Sequence, residues 1–179
     1  MGLPARNGKR SRTSPTLPSA AMGKTWAYTP RSLSKMSLVT ILVEDNPAIR
    51  ENLLAAMDEL ADLDVVATAE TASQAASALS AYDDSWDLAV VDLFLKQGSG
   101  LTVLKACQKR PPSRHVLVLT NYPTPEIRRR CLALGADAVF DKSTELEAFF
   151  DRCNAYSREA HRTHRGQATR ATPMTPKAF

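Results

Sequence analysis

The stretch Ala89-Val90-Val91-Asp92-Leu93-Phe94-Leu95 reads AVVDLFL, an apolar run of strand length carrying a single carboxylate. A near-continuous apolar and β-branched segment suits a strand covered on both faces of a sheet. A charge is costly within such a strand unless it is offset. Asp92 therefore belongs at the rim, closing the core of a strand predicted over Asp87 to Leu93.

Outward from this strand the chain alternates. Leu38 to Val43 is a β-branched run that stops at Glu44-Asp45. Asn46-Pro47 then supplies a helix N-cap and a proline suited to the first helical position. Ile49, Leu53, Met57 and Leu60 follow at helical spacing. Asp64 to Ala69 reads as a second strand, and Thr71-Ala72-Ser73-Gln74 as a capping box opening an Ala-rich helix to about Tyr82. After AVVDLFL, a loop with Gly98 and Gly100 leads to a helix over Leu101 to Cys107, stopped by Pro111-Pro112. His115 to Thr120 is a fourth strand, and Thr124-Pro125 opens a helix that Gly135 ends. Ala136 to Phe140 is a fifth, short strand. Thr144 to Glu147 forms another capping box ahead of a last helix with Leu146, Phe149, Phe150 and Cys153. Such alternation predicts an α/β fold, a doubly wound parallel sheet of five strands with five helices.

The chain has 179 residues, room for one ordinary domain of roughly 100 to 150 residues with tails. Its formal charge of +4 is unevenly spread. Residues 1–37 hold seven Lys/Arg and residues 161–179 hold four, neither with any acid. The middle, 38–160, holds 12 basic and all 19 acidic residues, a balance of −7. An acidic folded part argues against nucleic-acid binding, which requires a basic surface. The expected organisation is a basic extension over 1–37, a domain over 38–158 and a basic, mostly disordered tail over 159–179. The extension lacks the apolar core of a secretory signal. It fits a transit-type segment, a basic arm, or sequence ahead of a start at Met36. Cys107, Cys131 and Cys153 are too widely spaced for a metal motif and odd in number. They read as buried or half-buried thiols of a reducing, cytoplasmic compartment. No run of about 18 apolar residues suggests a membrane span.

In sheets of this kind ligands bind beyond the carboxyl ends of the strands. Glu44 and Asp45 end the first strand, Asp92 the third and Thr120 the fourth, and Lys142 follows the fifth. Three carboxylates within about 4 to 6 Å repel by several kcal/mol, so a divalent cation is their natural counter-charge, and Mg²⁺ suits a site of few carboxylates. Beside a metal, a hydroxyl and an ammonium group, the Asp92 carboxylate could act as nucleophile toward a phosphoryl group. Taken singly, each residue has a plainer use as a cap, a strand end or a solvated cation. Their joint placement carries the argument.

These residues resemble the receiver domain of two-component response regulators over about residues 38–158. Val43-Glu44-Asp45-Asn46 resembles the family's acidic pair. Asp92 resembles its phospho-acceptor, with Gly100 beyond it, Thr120 its hydroxyl residue, and Lys142 its lysine after the fifth strand. The resemblance implies a flavodoxin-like strand order of 2-1-3-4-5 in a single-domain, stand-alone regulator. It also implies that Asp92 accepts a phosphoryl group from a histidine kinase or phosphotransfer protein. Asp45, Asp92 and the Phe94 backbone carbonyl would hold Mg²⁺, with Glu44 acting through water, while Thr120 and Lys142 grip the phosphoryl oxygens. Output would be phosphorylation-dependent binding of a downstream protein, with neither a DNA-binding domain nor a membrane. A homodimer through the face of helix four, strand five and helix five is a further implication.

Some positions depart from the family pattern. Ser143 stands where proline is common, so the Lys142–Ser143 bond is expected to be trans. Lys96 also replaces a common proline. Val139 occupies the position of the aromatic switch residue that partners Thr120, and strand alternation denies Phe140 that role. Val139 supports an alternative, a phosphorylation-independent binding module regulating a kinase or adaptor. A hydrolase using Asp92 would want a second aspartate where Phe94 stands. Phe94 and Tyr122 are expected to slow loss of the phosphoryl group, and Arg128-Arg129-Arg130 could mark an acidic partner's site.

Overall fold

A computed structural model describes residues 37–83 and 85–168, with 163–168 described by their backbone alone. Residues 1–36 of the basic extension and 169–179 of the tail lie outside the described residues. Elements follow in strict alternation. They are β1 (Leu38–Val43), α1 (Pro47–Leu60), β2 (Leu63–Ala69), α2 (Ala72–Ala81), β3 (Leu88–Val91), α3 (Gly100–Cys107), β4 (His115–Thr120), α4 (Pro125–Ala133), β5 (Ala138–Asp141) and α5 (Leu146–Ala168). The strands form one parallel sheet in the order β2-β1-β3-β4-β5, as the resemblance implied.

The strands are apolar on both faces because both faces are covered. Ile41, Val43, Val91, Val118 and Val139 point into one core with Leu79 of α2, Val103 and Leu104 of α3 and Cys131 of α4. Their neighbours Leu42, Val90, Leu117, Leu119 and Phe140 point into the other, with Met57 of α1 and Phe149 and Cys153 of α5. The period of two along each strand thus decides which helix layer a residue meets. Val139 faces the α4 side, and Phe140 faces α5, where it meets Phe149 edge-on at 5.8 Å between centroids. Phe149 is fully buried. Truncating such a residue to alanine costs about 3 to 5 kcal/mol.

Local chemistry sets the helix starts. The Asn46 side chain accepts from the Ala48 and Ile49 amides with Pro47 in the first turn. Thr124 caps α4 ahead of Pro125 by accepting from Ile127 N. Thr71 accepts from Gln74 N, but the returning Gln74 side chain accepts from Glu70 N, one residue earlier than a capping box would place it. α5 starts at Leu146, and the Glu145 carboxylate just before it accepts from Asp141 N, so the Thr144–Glu147 box predicted there gives way to a later start. α5 also runs to Ala168, beyond the boundary at 158, because no proline or glycine interrupts it before Gly166. Leu60 and Leu146, read as parts of apolar stripes, sit at helix ends and are exposed.

Two strands are shorter than predicted. β3 begins at Leu88 because, although Asp87 N donates to Val39 O at 2.8 Å, Val39 N is met by the Asp87 side chain at 2.9 Å rather than by the carbonyl of an earlier strand residue. β5 begins at Ala138 because Asp137 does the same for Val116 N at 2.6 Å. No cis peptide bond occurs among the described residues, so Lys142–Ser143 is trans.

Candidate functional site

The carboxyl edge of the sheet is built by backbone bonds that carry the ladder one residue past the strands. Glu44 N donates to Ala69 O at 2.9 Å, Asp92 N to Val43 O at 2.9 Å, and Lys142 N to Thr120 O at 3.0 Å. Glu44 and Asp92 are thereby set side by side at the ends of β1 and β3, the paired centre of the sheet. The Asn46 cap turns the chain sharply after Asp45, and Asn46 N donates to Glu44 Oε1 at 3.0 Å. The turn leaves Asp45 half-buried at the rim while Glu44 is almost wholly enclosed.

One carboxylate oxygen from each of Glu44, Asp45 and Asp92 lies within 4.8 Å of the others. The Lys142 ammonium enters the group, 2.5 Å from Glu44 Oε2 and 2.7 Å from Asp92 Oδ2, with its side chain only 7% exposed. Three ionised carboxylates and one ammonium leave a formal charge of −2. A pair of like charges at 4.8 Å costs about 3.5 kcal/mol at an effective dielectric near 20. This set of hard oxygen donors with two negative charges in excess fits a divalent cation such as Mg²⁺. Glu44 already has both oxygens engaged, by Lys142 and Asn46 N, which suits it less to direct ligation than Asp45 or Asp92.

Asp92 is held by its own loop. Oδ1 accepts from Leu93 N at 2.6 Å and Phe94 N at 3.4 Å, leaving Oδ2 to Lys142. The loop closes onto α3, where Gly100 N donates to Leu93 O at 3.0 Å and Ser99 caps the helix through Leu101 N. A Cβ at Gly100 would lie 2.1 Å from Asp92 O, so only glycine fits against the Asp92 backbone. Ser99, rather than the loop glycines, is the cap that sequence reasoning missed. A serine two residues ahead of Leu101, where the apolar run begins, was the available signal.

Thr120 is fully buried, and its hydroxyl accepts from Tyr122 N at 3.5 Å. It adjoins the acidic group through its backbone bond to Lys142. Across the β4–β5 ladder, Thr120 pairs with the half-buried Asp141, and the buried aliphatic Val139 lies two residues earlier on β5, paired with Val118. Phe94 and Tyr122 stand exposed on the flanking loops and meet edge-on at 5.4 Å.

The three arginines of α4 divide. Arg128 reaches across to β5 and to the turn before α5. It donates to Val139 O, to Glu145 Oε2 at 2.6 Å, and through Nε to Pro123 O at 3.1 Å. Arg128 and the Asp141 amide hold the Glu145 carboxyl below its ordinary range. Arg129 and Arg130 are exposed. The cysteines are free and buried as expected. Burial pushes the Cys107 thiol up to about 11 and the Cys153 thiol to about 12. Among the described residues, no helix is long and apolar enough to cross a membrane.

Comparison with known proteins agrees with this geometry. The response regulator receiver domain family matches residues 40–154. A cyclic di-GMP phosphodiesterase of Thermotoga maritima is 30% identical over 62% of this chain, and the DNA-binding transcriptional activator DevR/DosR of Mycobacterium tuberculosis is 30% identical over 56%. The matches span only 28% and 46% of those two proteins, so the activities in their names come from much longer chains. The receiver domain of Francisella response regulator 1452 superposes with a TM-score of 0.60 at 17% identity, covering 69% of this chain and 99% of that one.

Proposed function

The chain belongs to the response regulator receiver family, and on that premise we propose that Asp92 accepts a phosphoryl group from a phosphohistidine of a histidine kinase or phosphotransfer protein. The observation that carries the reading is the acidic group itself, with Asp92 in a cluster whose negative charge is in excess and an ammonium 2.7 Å from one of its oxygens. In this reading Asp45, Asp92 and the Phe94 carbonyl hold Mg²⁺, and Glu44 acts through water. Bound there, Mg²⁺ supplies the positive charge that lets an anionic phosphoryl group approach an anionic nucleophile.

The residues divide the remaining work. An Asp92 oxygen attacks phosphorus while the phosphorus–nitrogen bond breaks and its electron pair returns to the donor imidazole. Lys142 gives two hydrogen bonds to Glu44 and Asp92 and has a third proton for a phosphoryl oxygen. Thr120 offers its hydroxyl proton to a phosphoryl oxygen while the same oxygen accepts from the Tyr122 amide. Transfer of this kind needs positioning and charge neutralisation more than covalent help from the protein. The chain assists only its own phosphorylation and dephosphorylation, and the aromatic pair Phe94 and Tyr122 slows access of water. The phosphorylated state signals by altering protein binding on the surface of α4, β5 and α5.

The test is incubation with acetyl phosphate and Mg²⁺, read by intact mass. Wild type gains a phosphoryl group that is lost over minutes or longer, and Asp92→Asn gains none. Equal labelling of the two would count against the reading. A second reading, constitutive binding without phosphorylation, is favoured by Val139 and by the Arg128 contacts that already tie α4 to β5 and to the turn before α5. Partner affinity unchanged by phosphorylation would select it.

A further inference from the structure

Glu70 follows β2, the edge strand that gives no carboxylate to the acidic group, yet it joins the two loops that do. Arg50 of α1 donates through Nη1 to Glu44 O at 3.0 Å, and its Nη2 pairs with Glu70 Oε1 at 3.0 Å. On the other side Lys96, in the loop after Asp92, pairs with Glu70 Oε2 at 3.1 Å. The backbone repeats the tie, with Ala72 N donating to Gln97 O at 3.1 Å. Gly98 sits so tightly there that a Cβ would meet Ala72 Cβ at 2.6 Å, and its φ is +82°. Glu70 itself is fixed by Gln74, whose side chain accepts from Glu70 N. Lys96 foremost, with Arg50 adding to it, holds the Glu70 carboxyl below its ordinary range.

The position of Arg50 calls for a physical explanation. A guanidinium beside a cation site weakens that site by simple charge repulsion. Its side chain is only 18% exposed, and the carbonyl it binds belongs to the peptide joining Glu44 to Asp45. Fixing that peptide plane fixes the direction in which Asp45 leaves the chain. We propose that Arg50, anchored by Glu70, is a positioning residue that sets the Glu44–Asp45 turn against Asp92 and so raises the affinity for Mg²⁺. This rests on the reading of Glu44, Asp45 and Asp92 as a Mg²⁺ site.

Charge and positioning predict opposite signs, which makes the proposal testable by calorimetric titration of the full chain with MgCl₂. Arg50→Met removes a cation near the site, so repulsion alone predicts tighter binding. Positioning predicts binding weaker by about 10-fold, the scale of outer-shell effects at metal sites. Arg50→Lys keeps the charge but cannot grip the Glu44 carbonyl and Glu70 together, and weakens binding several-fold. Glu70→Gln weakens it as well. Wild-type or tighter affinity in Arg50→Met overturns the proposal and leaves the Mg²⁺ site standing. Should Arg50→Met fail to fold, wild-type affinity in Arg50→Lys overturns it equally. A wild-type chain that binds no Mg²⁺ overturns the site reading and this proposal together.

Discussion

The two ends of the sheet use carboxylates in opposite ways. At the amino end, Asp87 accepts from Val39 N, and Asp137 accepts from Val116 N and Arg110 Nη2, so each carboxylate meets its own donors. At the carboxyl end, Glu44, Asp45 and Asp92 crowd within 4.8 Å around one lysine. An aspartate whose lone pairs meet dedicated donors is structural. A carboxylate left in a cluster with excess negative charge stores a demand for a cation. The difference lies in how many charges share one neighbourhood, which no single residue reveals.

Substitutions can break that contrast, and the largest expected effect is at Asp92. Asp92→Asn abolishes phosphorylation while leaving thermal stability unchanged or raised, because it relieves repulsion. A matching loss of stability would mean that Asp92 holds the fold. Next is Lys142→Met, which leaves the buried carboxylates without their ammonium. It lowers stability by about 3 kcal/mol in Mg²⁺-free urea unfolding, the scale for breaking a buried ion pair, with partial recovery on adding Mg²⁺. Asp137→Ala costs about 1 to 3 kcal/mol by orphaning Val116 N, and labelling at Asp92 stays at the wild-type level. Reduced labelling there would show that the two ends are coupled.

The smallest effect is a pH dependence at the amino end. His115 lies 3.9 Å from Asp137 and stacks on Tyr156, and burial lowers its pKa below the ordinary 6.5 despite the nearby carboxylate. The folded chain therefore resists a proton that the unfolded chain accepts. His115 contributes stability that is present above 6.5 and lost as pH falls below it. Urea midpoints at about pH 7.5 and about pH 5.5 should differ less in His115→Gln than in wild type. An equal difference in both would remove His115 as the cause.

The sequence carried the fold because its signals were local. Asn46-Pro47 and Thr124-Pro125 mark helix starts, and Val90-Val91 and Val139-Phe140 divide between the two cores by simple alternation. The site was legible because its polar residues each follow an apolar strand. Contacts that depend on residues far apart in the chain were not legible. Arg50 meets Glu70, and Arg128 meets Glu145, across turns whose geometry decides the pairing, and a run of three arginines does not say that the first is engaged. The shortened β3 and β5 were hidden for a related reason, since Asp87 and Asp137 serve neighbouring strands through their side chains. The length of α5 escaped because its last turns are polar, so no apolar stripe announced them.

The most direct test of the contrast is a Mg²⁺ titration followed through backbone amide resonances of the whole chain. The account predicts saturable shifts at Asp45, Asp92 and Phe94, with Asp87, Asp137 and their partners Val39 and Val116 unmoved. Shifts of equal size at both ends, or none at Asp45 and Phe94, would contradict it.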